Sequence, residues 1–339
     1  MKRLLQILNS TIVASLLVLA TSQGYAKAAA TVAFTCSGTL LYENTPDLAQ
    51  PSLLSKLTLS SSSGVTKDIY GTASGAVNAM GYRTQDNFLY AVGVGEGNHN
   101  HLFKFDAAGG ESDLGEVLAL DDNTNVTAGA FAADGFLYVT SIEDDTTMYK
   151  IDVSDHTATT ITLSGETLQR LTDFAYNIND GKFYGYDNGA TGDTADGQIK
   201  SITTAGVVSN VGPAAQPYYG MGAIWVFGDT MYGLENRTGL LREFSISGAN
   251  AGTVIGSIFQ LSPPDGEPNT SAQHDGASCA TASFAPPVVA STTPALPDTA
   301  TNPKPYQDKP WAAVLLSAAI VGFISTGSYL AYRKIKTKN

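Results

Sequence analysis

The sequence predicts an all-β fold, a five-bladed β-propeller whose ring is closed by strands from both ends of the chain. Three observations predict it. First, a tyrosine recurs at Tyr42, Tyr90, Tyr138, Tyr184 and Tyr232, at spacings of 48, 48, 46 and 48 residues. Around each lie short strand signals separated by turn signals, with no helical period. A four-stranded unit of that length cannot bury both of its faces alone, and a ring of such units can. Second, five predicted inner strands carry Gly or Ala at their fourth position: Gly81, Ala130, Ala175, Ala223 and Ala277. Inner strands converge on the ring axis, where only small side chains fit between blades. Third, the chain has two cysteines, Cys36 and Cys279, one near each end of the repeat region.

The strand pattern is clearest in residues 127–163: small apolar residues, Asp-Gly, Phe-Leu-Tyr, a polar loop, Met-Tyr-Lys-Ile-Asp and a Thr-rich run. Inner strands are expected at 78–82, 127–131, 172–176, 220–224 and 274–278. Second strands are expected at 88–92, 136–140, 182–186 and 230–234, and third strands at 101–105, 147–151, 197–202 and 240–246. Residues 39–42, 53–59 and 66–70 read as second, third and fourth strands that lack a first. Residues 274–278 read as a first strand with nothing after it. Together they make the fifth blade. The alternative takes 31–36 as an inner strand and gives six blades. In an exported chain two cysteines pair by default. A Cys36–Cys279 disulfide would stand where the intact blades have a hairpin turn.

The two ends read as export and anchoring signals. Residues 1–28 are a predicted signal peptide: Lys2 and Arg3, an apolar core near 12–20, and small residues at Ala26 and Ala28. Cleavage after Ala28 is preferred, with cleavage after Ala26 as the alternative. Residues 29–280 form the propeller ectodomain and 281–310 a Pro-, Thr- and Ala-rich stalk. Residues 311–332 hold 22 uncharged, largely apolar residues, the length of a membrane-spanning helix. The basic tail at 333–339 places the C-terminus in the cytoplasm. Leu296, Pro297, Asp298, Thr299 and Ala300 precede the helix. With the helix and tail, they resemble the sortase sorting signal of Gram-positive-type surface proteins, with Ala300 in place of the usual Gly. That resemblance implies two partners, sortase and cell-wall peptidoglycan, joined through the Thr299 carbonyl.

Within the ectodomain, a cysteine before the first Leu-Tyr strand, NAMGY with DNFLY, AGAF, TDFAY with DGKFYG, YGMGA and a final HDGASC stand in a recognisable order. Over residues 36–279 the chain resembles an uncharacterised bacterial surface-protein domain of β-propeller type. The resemblance implies fold and surface location, and no activity.

Charge and motifs narrow the function. Residues 29–332 carry 12 basic against 31 acidic residues, a net of −19, which argues against a nucleic-acid partner. Candidate ligand-binding residues are Asn78, Asp173, His274 and Asp275, expected near one mouth of the ring. The competing reading has Asp173 and Asp275 bonding to backbone amides of neighbouring blades. His99, His101 and Glu96 read as a solvated loop rather than a metal site. Residues 121–125 begin like a calcium loop but lack its later Gly and Glu. No cofactor or metal motif is present. Met148, Tyr149, Phe103 and Trp225 read as core between blades. The expected role is recognition or adhesion of a glycan or protein at the cell surface, and not enzymatic. The alternatives are an extracellular hydrolase using Asp173 and Asp275, and a passive surface-layer or spacer protein.

Overall fold

A computed structural model describes residues 27–46, 48–62, 64–121, 124–190, 197–216, 218–261 and 273–287. The predicted membrane helix, sorting motif, basic tail and most of the stalk and leader lie outside the described residues. Among the described residues, no helix is long and apolar enough to cross a membrane.

The described chain is all-β apart from one short 3-10 turn, Gly248–Asn250. Its strands are β1 (Leu40–Thr45), β2 (Leu53–Leu59), β3 (Gly64–Thr72), β4 (Val77–Arg83), β5 (Phe88–Gly93), β6 (His101–Phe105) and β7 (Glu111–Glu116). They continue with β8 (Val126–Phe131), β9 (Leu137–Ser141), β10 (Thr147–Asp152), β11 (Thr157–Thr162), β12 (Ser164–Gly165), β13 (Leu171–Asn177) and β14 (Lys182–Asp187). The last are β15 (Gly197–Thr203), β16 (Val207–Gln216), β17 (Met221–Phe227), β18 (Thr230–Glu235), β19 (Leu240–Ser245), β20 (Val254–Leu261) and β21 (Gln273–Ala277).

Hydrogen bonding groups them as antiparallel meanders: β4-β5-β6-β7, β8-β9-β10-β11, β13-β14-β15-β16 and β17-β18-β19-β20. A further sheet, β3-β2-β1-β21, takes three strands from the start of the described chain and one from its end. Parallel pairing of β20 with β3 joins it to the preceding meander. The inner strands are neighbours in a closed cycle, β4 beside β8, then β13, β17, β21 and β4 again. The arrangement is propeller-like.

Burial follows strand position. Inner strands are packed on both sides, so β8 and β17 are buried throughout. A strand covered on two faces reads as a continuous small or apolar run. Outer strands such as β11, TATTIT, are largely open to solvent, with Ala158 as the buried residue. Apolar side chains fill the gaps between sheets. Tyr90, Phe131, Val139 and Tyr149 pack between the first two meanders, and Trp225, Tyr42 and Phe259 between the last meander and the split sheet.

The split sheet closes as the sequence predicts. Strand β21 pairs antiparallel with β1, Leu41 opposite Ala277 and Glu43 opposite Asp275. Two residues beyond Ala277, Cys279 is bonded to Cys36 with a Cα–Cα distance of 5.3 Å. The Trp225 indole locks the seam, donating to Leu41 O at 2.9 Å and Ala277 O at 3.1 Å. Residues 31–36, the extra inner strand of the six-blade alternative, form no strand and lie against the first meander, where Phe34 N donates to Asn87 O.

The inner strand expected at 220–224 runs further than predicted. It is β17, whose pairing with β18 continues to Phe227 opposite Thr230. A bulge interrupts that pairing between Met221 and Ala223, as bulges do at the start of β4, β8 and β13. A bulge adds a residue on one strand without leaving a mark in composition.

Candidate functional site

The four candidate residues sit in the first half of the inner strands, inside the protein. Asn78 is 2% exposed, His274 4%, and Asp173 and Asp275 0%. Asn78 Oδ1 accepts from the amide of Ala79, which sits at a positive φ of 53° in the β4 bulge. The neighbouring blade fits against that bulge because it presents Gly129, where a Cβ would lie 2.2 Å from Ala79 O. His274 turns the other way, stacks on Tyr42 with ring centroids 5.6 Å apart, and lies 2.7 Å from Asn236 Oδ1 through Nδ1.

The two aspartates form a clasp. Asp173 accepts from Phe174 N at 2.6 Å and, across the seam to the next meander, from Ile224 N at 2.5 Å. Asp275 repeats the pattern, accepting from Gly276 N at 2.7 Å and from Met80 N of the first meander at 2.5 Å. Burial pushes both pKa values well above the ordinary carboxylate range, helped at Asp173 by the charge of Asp275 and at Asp275 by that of Glu43.

Glu43, directly opposite Asp275 across the β1–β21 pair, extends the clasp, and sequence reading missed it. It is 0% exposed, and burial pushes its pKa up to about 8 against the hydrogen bonds of Ser52 and Thr45. Its Oε2 has no hydrogen-bond partner among the described residues, a lower cost for a neutral acid than for a carboxylate. The available signal was a lone acid within the otherwise uncharged strand LLYENT.

The axis itself offers little room. At the far end of the inner strands, a slot lined by Gly81, Gly129, Ala130, Ala175, Gly276 and Ala277 holds about 20 Å³. A single water needs roughly 10–15 Å³. The open space is on the rim at the other mouth, where loops from the split sheet and the first two meanders meet. That groove holds about 740 Å³ and is lined by Leu48, Ala49, Gly75, Val94, Glu96 and Asn125, among others. Close by in the chain, Asn98 donates through Nδ2 to Ala76 O at 3.1 Å, which ties this loop to the start of the first meander.

The His99–His101 pair does not converge on a common point with Glu96. His99 Nε2 lies 3.2 Å from Asn125 Oδ1, whereas His101 Nδ1 lies 3.0 Å from Asp113 Oδ2. Among the described residues, no group of three His, Cys, Asp or Glu side chains is placed to hold a metal. The calcium-like stretch lies partly outside the described residues.

A family model described as a repeat of unknown function, DUF6923, matches residues 42–281. The chain belongs to this family. No curated protein matches it. Among solved structures, the DUF6923 chain is similar to one in a nidogen–laminin complex, at 10% identity and a TM-score of 0.45, over 71% of this chain and 98% of that one. It is also similar to a Bacteroides thetaiotaomicron protein of unknown function, at 15% identity and a TM-score of 0.43, over 70% of this chain and 64% of that one. A third is a Pseudomonas aeruginosa periplasmic gluconolactonase, at 14% identity and a TM-score of 0.39, over 68% and 69%. At these scores no activity passes from those proteins to the DUF6923 chain.

Proposed function

We propose that this protein is an exported recognition or adhesion module, a five-bladed propeller that binds a glycan or polypeptide segment in the rim groove. The observation that carries this reading is the contrast between the two spaces. The carboxyls that a hydrolase would need are fully buried and committed to backbone amides beside a slot of about 20 Å³, while the rim groove is open and holds about 740 Å³. General acid–base catalysis requires hydrogen-bond reach of the substrate. Binding requires only a shaped surface with a few placed polar groups, and Glu96 and Asn125 supply these.

The Cys36–Cys279 disulfide supports an oxidising, extracellular location. Attachment to the cell wall by sortase through Leu296–Ala300, with the 311–332 helix holding the chain until transfer, is part of the same proposal. A combined glycan and peptide array probed with the ectodomain tests the binding reading. Ala49 is exposed on the groove wall, so Ala49→Trp fills the groove without entering the core. A ligand retained by wild type and lost by Ala49→Trp is expected. Silence of wild type on every array element would favour a passive surface role.

A further inference from the structure

The first described residues are already part of the fold. Glu111 N donates to Ala28 O at 2.8 Å, and Ala30 N donates to Ser112 Oγ at 3.1 Å. Thr31 N and Val32 N donate to Asp106 Oδ2 at 2.8 and 3.0 Å, and Ala107 N donates to Val32 O at 2.9 Å. The segment thus lies against the turn between β6 and β7 and the first residues of β7.

Lys27 adds an ion pair. Its Nζ lies 2.6 Å from Glu111 Oε2, with the glutamate side chain 4% exposed and the lysine 31%. The other contacts of that carboxylate come from Ser74, through its amide at 2.9 Å and its hydroxyl. They are neutral donors, so Lys27 supplies the positive charge. Its ammonium also lies 6.0 Å from the Phe105 ring centroid.

Between Tyr25 and Thr31, three positions have small residues one and three places upstream, the pattern a leader peptidase requires. They follow Ala26, with Gly24 behind it, Ala28, with Ala26 behind it, and Ala30, with Ala28 behind it. Cleavage after Ala28 or Ala30 would discard Lys27 and the Ala28 carbonyl. It would leave a buried carboxylate without its cation and the Glu111 amide without its acceptor. Removing one side of a buried ion pair costs more than the intact pair contributes, and an unmade buried hydrogen bond adds to it. Cleavage after Ala26 keeps both contacts.

We propose that the leader is removed between Ala26 and Lys27, so that the exported chain begins with Lys27 and uses it to neutralise Glu111. The proposal rests on the reading that the chain is exported. Hydrolysis of the Ala26–Lys27 amide consumes one water and leaves an Ala26 carboxylate on the leader and an α-ammonium on Lys27.

Mass-spectrometric sequencing of the N-terminal peptide, on protein exported by cells expressing the full chain, tests it. Lys27 as the first residue is expected. Gln23, Tyr25, Ala29 or Thr31 as the first residue overturns the proposal and leaves export standing. An intact Met1 overturns both. A second arm reads the ion pair itself. Lys27→Ala should lower Tm by about 3 °C or more when Glu111 is present and leave it unchanged in a Glu111→Gln background. An equal fall in both backgrounds overturns the role given to the pair.

Discussion

Glu43 lies fully buried with Thr45 donating to one of its oxygens, and burial moves its pKa from 4.5 to about 8. In the unfolded chain it ionises above about pH 4.5, but in the fold it keeps its proton until about pH 8. The stabilisation is therefore complete below the lower value and is lost as pH rises through the window between them. One such group contributes a slope of about 1.4 kcal/mol per pH unit. Glu43→Gln keeps the shape and removes the titration. Denaturant unfolding of this variant between pH 5 and 8 should show a pH slope shallower than wild type by about one proton, and an unchanged slope would sink the assignment. Asp173 and Asp275 were legible because they stand on inner strands among small residues. Glu43 was not, because its partner Asp275 is brought opposite it only by pairing between the two ends of the chain.

At the scale of elements, three of the five repeated tyrosines serve the hairpin turns. Tyr90 OH donates to Asp86 at 2.6 Å, Tyr138 OH to Asp134 at 2.9 Å and Tyr184 OH to Asp180 at 2.5 Å, each four residues back across the turn. Burial and the neighbouring carboxylate raise the pKa of all three phenols, so they remain donors at any physiological pH. In the second meander Lys150 joins the latch, 2.9 Å from Asp134 and 4.0 Å from the Phe136 ring centroid. Tyr138→Phe should cost about 1 kcal/mol, the net value of one such bond, and thermal unfolding measures it. No change in Tm would mean that the ring alone carries the stabilisation. The period of these tyrosines was readable because identical environments recur. The aspartates were equally visible at their constant spacing but gain meaning only once the turn brings them to the hydroxyl. The extent of β17 was less legible, since its expected run stopped at Ile224 and pairing with β18 carries it to Phe227.

At the scale of the whole molecule, the fold depends on joining the two ends of its described chain. The Cys36–Cys279 bond closes a loop of 243 residues in sequence separation. In the chain-entropy model such a crosslink removes about 5 kcal/mol of unfolded-state freedom. Reduction, or Cys36→Ser with Cys279→Ser, should lower the denaturant midpoint accordingly. Equal midpoints in reduced and oxidised protein would show that strand pairing and the Trp225 seam suffice. Anchoring belongs to this scale too. Thr299→Ala should leave the protein extractable by detergent, whereas wild type should require wall-degrading enzymes. Equal detergent release of both would assign retention to the membrane segment alone. The ring was legible from its period and its split blade. The rim groove was not, because it is built by loops from separate units whose small residues carry no motif. Calorimetric titration of the strongest array ligand into wild type, Ala49→Trp and the Asp173→Asn/Asp275→Asn double variant tests the function most directly. Wild-type affinity is expected in the double variant, and at least about tenfold weaker binding in Ala49→Trp. Loss of binding in a folded double variant, with Ala49→Trp unaffected, would contradict it and move the site to the axis.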